Sequence, residues 1–251
     1  MNTDEVRISA VRGIKEVALG DSVGSLIVSA VEAGRKTLAE GDIVVVAQKV
    51  VSKSEGCVLH LDQVTPSPLA KVWAQSWGKD PRLIEVVLAE TRRIIRMGQG
   101  VLITETHHGY VCANAGVDTS NVKPGMVTVL PKDPDKSARQ IRNDIRSALG
   151  MEIGVIISDT FGRPWRVGLT NVALGIAGLD PLVDYRGQPD GSCRVLKSTQ
   201  IAVADELAAA AEIVMGKNRR IPAAIIQGVP NHDRGGSGQQ LLRAATHDLF
   251  R

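Results

Sequence analysis

A mixed α/β, α+β architecture is predicted by three features of the chain. Short β-branched runs alternate with stretches of helical periodicity. Several of those runs are almost unbroken apolar segments, the pattern of strands covered on both faces. The helical stretches carry readable start and stop residues. With 251 residues, 43% hydrophobic and 23% charged, the chain can bury a sizeable core, and we read 1–251 as a single unit. Aromatic residues make up only 3%, so that core must be built from Val, Ile, Leu and Ala.

Strands are expected at Ile43–Ala47, 101–104, 127–130, 154–158 and Ala223–Gln227. The first, fourth and fifth are the near-continuous apolar runs. A helix should open at Asp80-Pro81, a cap followed by a first-turn proline, and bury Leu83, Ile84, Val87, Leu88, Ile94 and Ile95. Arg92, Arg93 and Arg96 would favour its negative end and Gly98 would stop it. Ser137 with Gln140 reads as a capping box for a helix through Ile141, Ile145 and Leu149, stopped by Gly150. Val203–Met215 is a further helix, ended by Gly216.

Composition excludes several classes. Lys and Arg number 30 against 27 Asp and Glu, a net charge of +3 with no basic block to argue for nucleic acid or an acidic membrane. Trp73, Trp77 and Trp165 are too scattered to form a base-stacking platform. No apolar stretch approaches bilayer length. The opening MNTDEVRISA lacks the layout of a signal peptide, and Cys57, Cys112 and Cys193 form no CxxC pair, so a reducing cytoplasm is the expected setting.

Three stretches could carry chemistry. In residues 154–168, GVIISDTFGRPWRVG, an apolar strand ends in Ser158-Asp159-Thr160 and a Gly-Arg-Pro turn. A carboxylate and a hydroxyl at the carboxyl edge of a sheet suit Mg²⁺ or Mn²⁺, and Arg163 and Arg166 could clamp a phosphate or carboxylate. An Asx-type turn is the plainer reading. In residues 111–121, VCANAGVDTSN, Asp118 sits among Thr119, Ser120 and Asn121, as a cap or as a second metal-binding carboxylate. In residues 48–56, QKVVSKSEG, Lys49 and Lys53 stand where a strand meets a loop, solvated or facing phosphate.

Other motifs carry less. No GxxxxGK[ST] or HExxH occurs. Gly20–Gly24 matches GxSxG by letter, but Asp21 or Ser22 as a helix cap fits better than a nucleophile elbow. His107 and His108 read as a surface pair and Cys112 as a small buried residue.

Taken together and in order, QKVVSKSEG, NAGVDTSN, SDTFGRPWRVGLTNVALGIAG and VADELAAAAEIVMGK resemble the coenzyme F-420-0:γ-glutamyl ligase family. The resemblance runs from GIKEVALGD to AAIIQG, and the closing QLLRAATHDLF is similar to the end of the ligase portion of a longer, bifunctional form carrying a nitroreductase-like domain. It implies GTP-dependent addition of L-glutamate to coenzyme F-420-0, in a cytoplasmic homodimer with a non-Rossmann ligase fold of two interleaved subdomains. It further implies an Mg²⁺ or Mn²⁺ pair per subunit, with a monovalent cation as a further candidate. Asp118, Asp159 and Thr160 fall on the family's metal ligands, the two aspartates being the catalytic pair. Ile14, Lys15, Glu16, Val17, Gln48, Lys49, Lys53, Asn121, Met215, Gly216 and Lys217 fall on its nucleotide-side positions. Lys217 stands where some relatives carry an acidic second-metal ligand, which leaves that ion short of a ligand here. The rivals are a related nucleotide-dependent ligase acting on another carboxylate, and a nucleotide-binding regulatory module without catalysis.

Overall fold

The computed structural model describes residues 5–230 and 233–249. Its centre is a five-stranded sheet in the order β1 (Arg7–Val11), β12 (Ala223–Gln227), β2 (Ile43–Ala47), β8 (Gly154–Arg163), β9 (Arg166–Ala177). β2 and β8 are parallel, with Ile43 opposite Gly154 and Ala47 opposite Ser158; the other neighbours are antiparallel. Val44, Val46, Val155, Ile157 and Ile225 face one apolar layer, completed by α1 (Val23–Ala33) and α5 (Pro134–Leu149). Ile43, Val45, Ile156, Ala224 and Ile226 face the other, closed by α6 (Val203–Met215). The three continuous apolar runs are therefore covered on both faces, as their composition requires.

Between β2 and α5 the chain builds two smaller sheets. β3 (Val58–His60) pairs with β7 (Met126–Thr128), and β5 (Val101–Thr106) lies between β4 (Thr91–Gly98) and β6 (Val111–Ala113). α3 (Pro68–Trp77) and α4 (Pro81–Ala89) pack here, around Ala70, Trp73, Ile84, Val87 and Leu102. Residues 183–184 and 200–201 form a further short ladder, β10 and β11. The fold is a mixed α+β one with several sheets. Among the described residues no helix is long and apolar enough to cross a membrane.

Several boundaries differ from the sequence expectations. The helix opened by Asp80 stops at Ala89, and Thr91–Gly98 is a strand. Gln99 (φ 50°) and Gly100 (φ 73°) both take the left-handed conformation a tight hairpin demands, so the chain turns back at Gly98 instead of capping a helix there. Arg92 and Arg93 answer the buried Glu105 across that hairpin, Arg93 at 2.8 Å, rather than a helix terminus. α5 starts one turn before the Ser137 capping box: Asp133 accepts from the Lys136 N–H at 2.9 Å, and Pro134 fills the first turn. Ser22, accepting from the Ser25 N–H at 3.0 Å, caps α1, so GDSVG is a helix start. The expected strand 127–130 is Met126–Thr128, and 101–104 runs on to Thr106. Residues 154–158 do not end a strand either. β8 continues to Arg163 and returns as β9 through a tip where Trp165 has φ 57°.

One clasp ties α5 to the sheet and to the carboxyl-terminal segment. The buried Asp135 accepts through Oδ1 from the N–H groups of Ile176 and Gly238, each at 2.8 Å. α5 presses so closely on β9 here that a Cβ at Gly175 would lie 2.1 Å from the Pro134 carbonyl oxygen. Asp135→Ala would strand two backbone donors and is expected to lower stability by about 2–4 kcal/mol in urea unfolding. Asp135→Asn, which keeps an acceptor oxygen, is expected to lose less than half as much.

Candidate active site

The parallel pair fixes the place. β2 ends at Ala47 and α2 (Gln48–Ser54) begins at the next residue, while β8 carries Asp159 and Thr160 one and two residues past the last parallel partner. Lys49 and Lys53 thus stand one turn apart on a helix, not at a strand–loop junction. Asp118 arrives from the other part of the chain, locked by two backbone bonds to Thr128 at 3.0 and 2.8 Å. Binding at the carboxyl ends of parallel strands is the common arrangement in such sheets.

The groups brought together are two acids and two bases. Lys49 Nζ lies 2.6 Å from Asp118 Oδ2 and also donates to Ser120 Oγ. The Ser120 N–H donates to Asp118 Oδ1 at 2.6 Å. Burial pushes the Asp118 carboxyl up, but the Lys49 ammonium and the Ser120 donors outweigh it and hold it below the usual range. Asp159 is different. Burial pushes it up to about 6, the Asp118 charge adds to that, and the Thr160 N–H with the ammoniums of Lys217 and Lys49 only partly opposes it. Among the described residues no ion pair reaches Asp159 within salt-bridge distance.

Asp159 and Thr160 are successive strand residues, so their side chains leave opposite faces of β8. Thr160 pairs in register with Asn171 and donates its hydroxyl proton to Asn171 Oδ1 at 2.6 Å. The buried Asn171 donates from Nδ2 to Glu212 Oε2 of α6 at 3.2 Å, and Lys217 Nζ donates to Thr160 Oγ1. Neither Asn171 nor Glu212 is legible as a site residue in the sequence. Asn171 lies in a segment with no expected strand, and its signal is a polar Thr-Asn pair at the root of an apolar run. Glu212 reads as one acid among the exposed positions of a helix.

The remaining candidates are spread around this centre. Lys53 pairs with the exposed Glu16 at 2.5 Å, which brings the loop of Ile14, Lys15, Glu16 and Val17 against α2. Within that loop Val17 is buried and Ile14 packs on the core. Gln48 is 2% exposed and its amide oxygen accepts from Ser52 Oγ at 2.8 Å. Asn121 is exposed with φ 57°. Met215 is packed in the core, and Gly216 caps α6 with φ 63°. Arg163 spends its guanidinium on the Val167 carbonyl at 2.8 Å, inside the hairpin tip, while Arg166 is exposed. A cavity of about 150 Å³ adjoins Asp118, lined by Lys79, Leu83, Ile84, Val87, Asn114 and Thr119 among others.

His107 and His108 diverge, one ring bonding the Ala89 carbonyl and the other the Pro131 carbonyl. Cys112 is buried, and its thiol is pushed up to about 12 by desolvation and by the Asp159 charge, so it is no nucleophile at neutral pH. Cys57 is also buried and Cys193 exposed. Native protein is therefore expected to release one equivalent of thiol signal with Ellman's reagent at pH 8, and three after denaturation; a second fast-reacting thiol would contradict the burial of Cys112.

Two carboxylates, two ammoniums and a shared strand end define a charged, oxygen-rich site of the kind used on phosphorylated ligands. Comparison with known proteins bears on the chain as a whole. The description F420-0:Gamma-glutamyl ligase matches residues 13–228. A protein of Methanothermobacter thermautotrophicus named coenzyme F420:L-glutamate ligase is 47% identical over 98% of this chain and 99% of its own length. Proteins of the same name from Methanopyrus kandleri (45%, 98% of each chain) and Methanocaldococcus jannaschii (44%, 85% of this chain and 86% of theirs) are similar in turn. The chain belongs to the F420-0:gamma-glutamyl ligase family.

Proposed function

We propose that this protein is a ligase that joins the amine of L-glutamate to a carboxyl group of coenzyme F-420-0, and then extends a γ-linked glutamyl tail, at the expense of GTP. The activity for which its relatives are named supports the overall reaction. The observation that carries the mechanism is the pair Asp118 and Asp159, brought beside Lys49 at the end of the parallel strands from sites 41 residues apart in sequence (159 − 118).

The residues suit an Mg²⁺ or Mn²⁺ site. Among the described residues no three His, Cys, Asp or Glu side chains converge, as a closed protein cage would require. Carboxylate and hydroxyl oxygens in small number instead suit hard cations that would complete their shells with water and phosphate oxygens. Asp159 is partly buried and, among the described residues, has no ammonium within ion-pair distance. Asp118 and Asp159 would hold one ion, and Thr160 Oγ1, leaving the other face of β8 beside Lys217, would contribute to the other member of a pair. When bound, such ions supply charge neutralisation for a transferring phosphoryl group.

The chain's own groups then have defined tasks. A carboxylate resists attack by an amine, so its oxygen first takes the γ-phosphoryl of GTP, releasing GDP and leaving an acyl phosphate. The neutral glutamate amine attacks the acyl carbon, loses a proton and expels phosphate, giving the amide. Lys49, freed from Asp118 when a cation takes that carboxylate, would swing to phosphate oxygens, with Lys53 behind it on the same helix face. Asp118 and Asp159 would hold the cation that separates their own negative charge from that of the phosphates. The working form in this reading is a cytoplasmic homodimer, and the exposed Trp165, Val167 and Leu169 at the β8–β9 tip favour an association surface.

Incubating the protein with F-420-0, L-glutamate, GTP and Mn²⁺ is expected to give products heavier by successive glutamyl residues, dependent on GTP and lost with a chelator. GTP hydrolysis without mass gain would assign another acceptor; neither event in folded protein would favour a binding module. Asp159→Asn is expected to keep the circular dichroism spectrum and lose about 10²–10³-fold or more in turnover, a loss of the size seen when a stabilising group is removed. Lys49→Met should raise the Kd for GDP about tenfold, the scale of one charge-assisted contact, without weakening Mn²⁺ binding; isothermal titration of both ligands checks it.

A further inference from the structure

The side of the site built on Thr160 contains a hydrogen-bond chain whose direction is fixed from one end. A carboxylate only accepts at neutral pH, so Glu212 Oε2 obliges the Asn171 amide to turn its NH₂ group toward α6, at 3.2 Å. The amide oxygen then faces Thr160, and an oxygen there can only accept. The hydroxyl of Thr160 must therefore give its single proton to Asn171, at 2.6 Å. What remains on Thr160 Oγ1 is lone pairs, one of them engaged by the Lys217 ammonium. Asn171 is 4% exposed and held opposite Thr160 by the strand register, so neither end of the chain can reorient alone.

We propose that Glu212 is a positioning residue: acting through Asn171, it turns the Thr160 hydroxyl proton away from the site and leaves that oxygen able only to accept, as a ligand to a divalent cation must. This rests on the metal-dependent reading above and gives Glu212 a role in it that requires no contact with substrate. If Glu212 could donate, the Asn171 amide could reverse, and Thr160 would then accept from Asn171 and point its proton at the cation. Outer-shell partners of this kind commonly contribute ten- to hundredfold in metal affinity.

The test is Mn²⁺ binding by the full chain, measured by titration calorimetry and by the electron paramagnetic resonance signal of free Mn²⁺, with thermal unfolding as a check on folding. Glu212→Gln, equal in size but able to donate, is expected to weaken at least one Mn²⁺ step tenfold or more. Asn171→Ala, which cuts the chain at its middle, should do the same and serves if the first variant folds poorly. In a Thr160→Val background Glu212→Gln is expected to have no further effect, because no hydroxyl is left to orient; a purely structural role would still register there. Unchanged Mn²⁺ binding in Glu212→Gln and Asn171→Ala, or an equal loss with and without the Thr160 hydroxyl, overturns the proposal. A wild-type chain that binds no Mn²⁺ overturns the metal reading and the relay together.

Discussion

The parallel pairing of β2 with β8 is the constraint on which the rest of the molecule depends. In a sheet whose other neighbours are antiparallel, these two are the adjacent strands that bring like ends side by side at one edge. A parallel connection cannot be closed by a tight turn and needs a long crossover. Here the chain between Ala47 and Gly154 spends that length on α2, two small sheets, α3, α4 and α5. The crossover is also what returns Asp118 to the end of β2, so the connection that topology demands supplies one wall of the site. Both faces of the pair are buried, and a register slip of one residue would exchange the two apolar layers. The position of Asp159 relative to Lys49 is thereby set by the core.

The site that results is balanced between charges of opposite sign that are only partly matched. Asp118 has an ammonium at contact distance and is held low, whereas Asp159, more deeply placed and facing Asp118, is held high. The bulge in β9 at Leu174, opposite the junction of Ile157 and Ser158, lets the ribbon change its twist just as it leaves β2. Its carbonyl does not go unpaired: the Tyr110 hydroxyl donates to it at 2.7 Å. The irregularity is built into the packing around the site and has its own partners.

Much of this could be read from residue order and much could not. The unbroken apolar runs at Ile43–Ala47 and Ala223–Gln227 are strands with those bounds, and Ser22, Gly150 and Gly216 act at helix ends as their chemistry suggests. Residues 80–98 misled because Ile94 and Ile95 continue a helical period from Leu83. The Gln99-Gly100 hairpin, a tertiary requirement, overrode that period. Lys49 and Lys53 looked like loop residues because QKVVSKSEG is short and ends in turn formers, yet the end of β2 launches it as a helix. Asp159 and Thr160 were visible as hard-oxygen residues at an expected strand end and Asp118 as a carboxylate in a polar turn, and the family motifs singled them out. Asn171 and Glu212 were not visible, since their interest lies only in facing each other across β9 and α6, a relation 41 residues apart in the chain (212 − 171).

Beyond Ser158 the sheet narrows to two strands, and the β8–β9 ribbon projects without β2 beside it, ending in the exposed Trp165 and Val167. Mechanically it is a cantilever clamped at the sheet. Deflection of such a beam grows steeply with distance from its support and vanishes at the clamp. Asp159 and Thr160 occupy the first two positions beyond it, clear of β2 but still partly buried and too close to the clamp to move far. A load applied at the tip is therefore taken up along the ribbon and leaves the two site residues almost at rest.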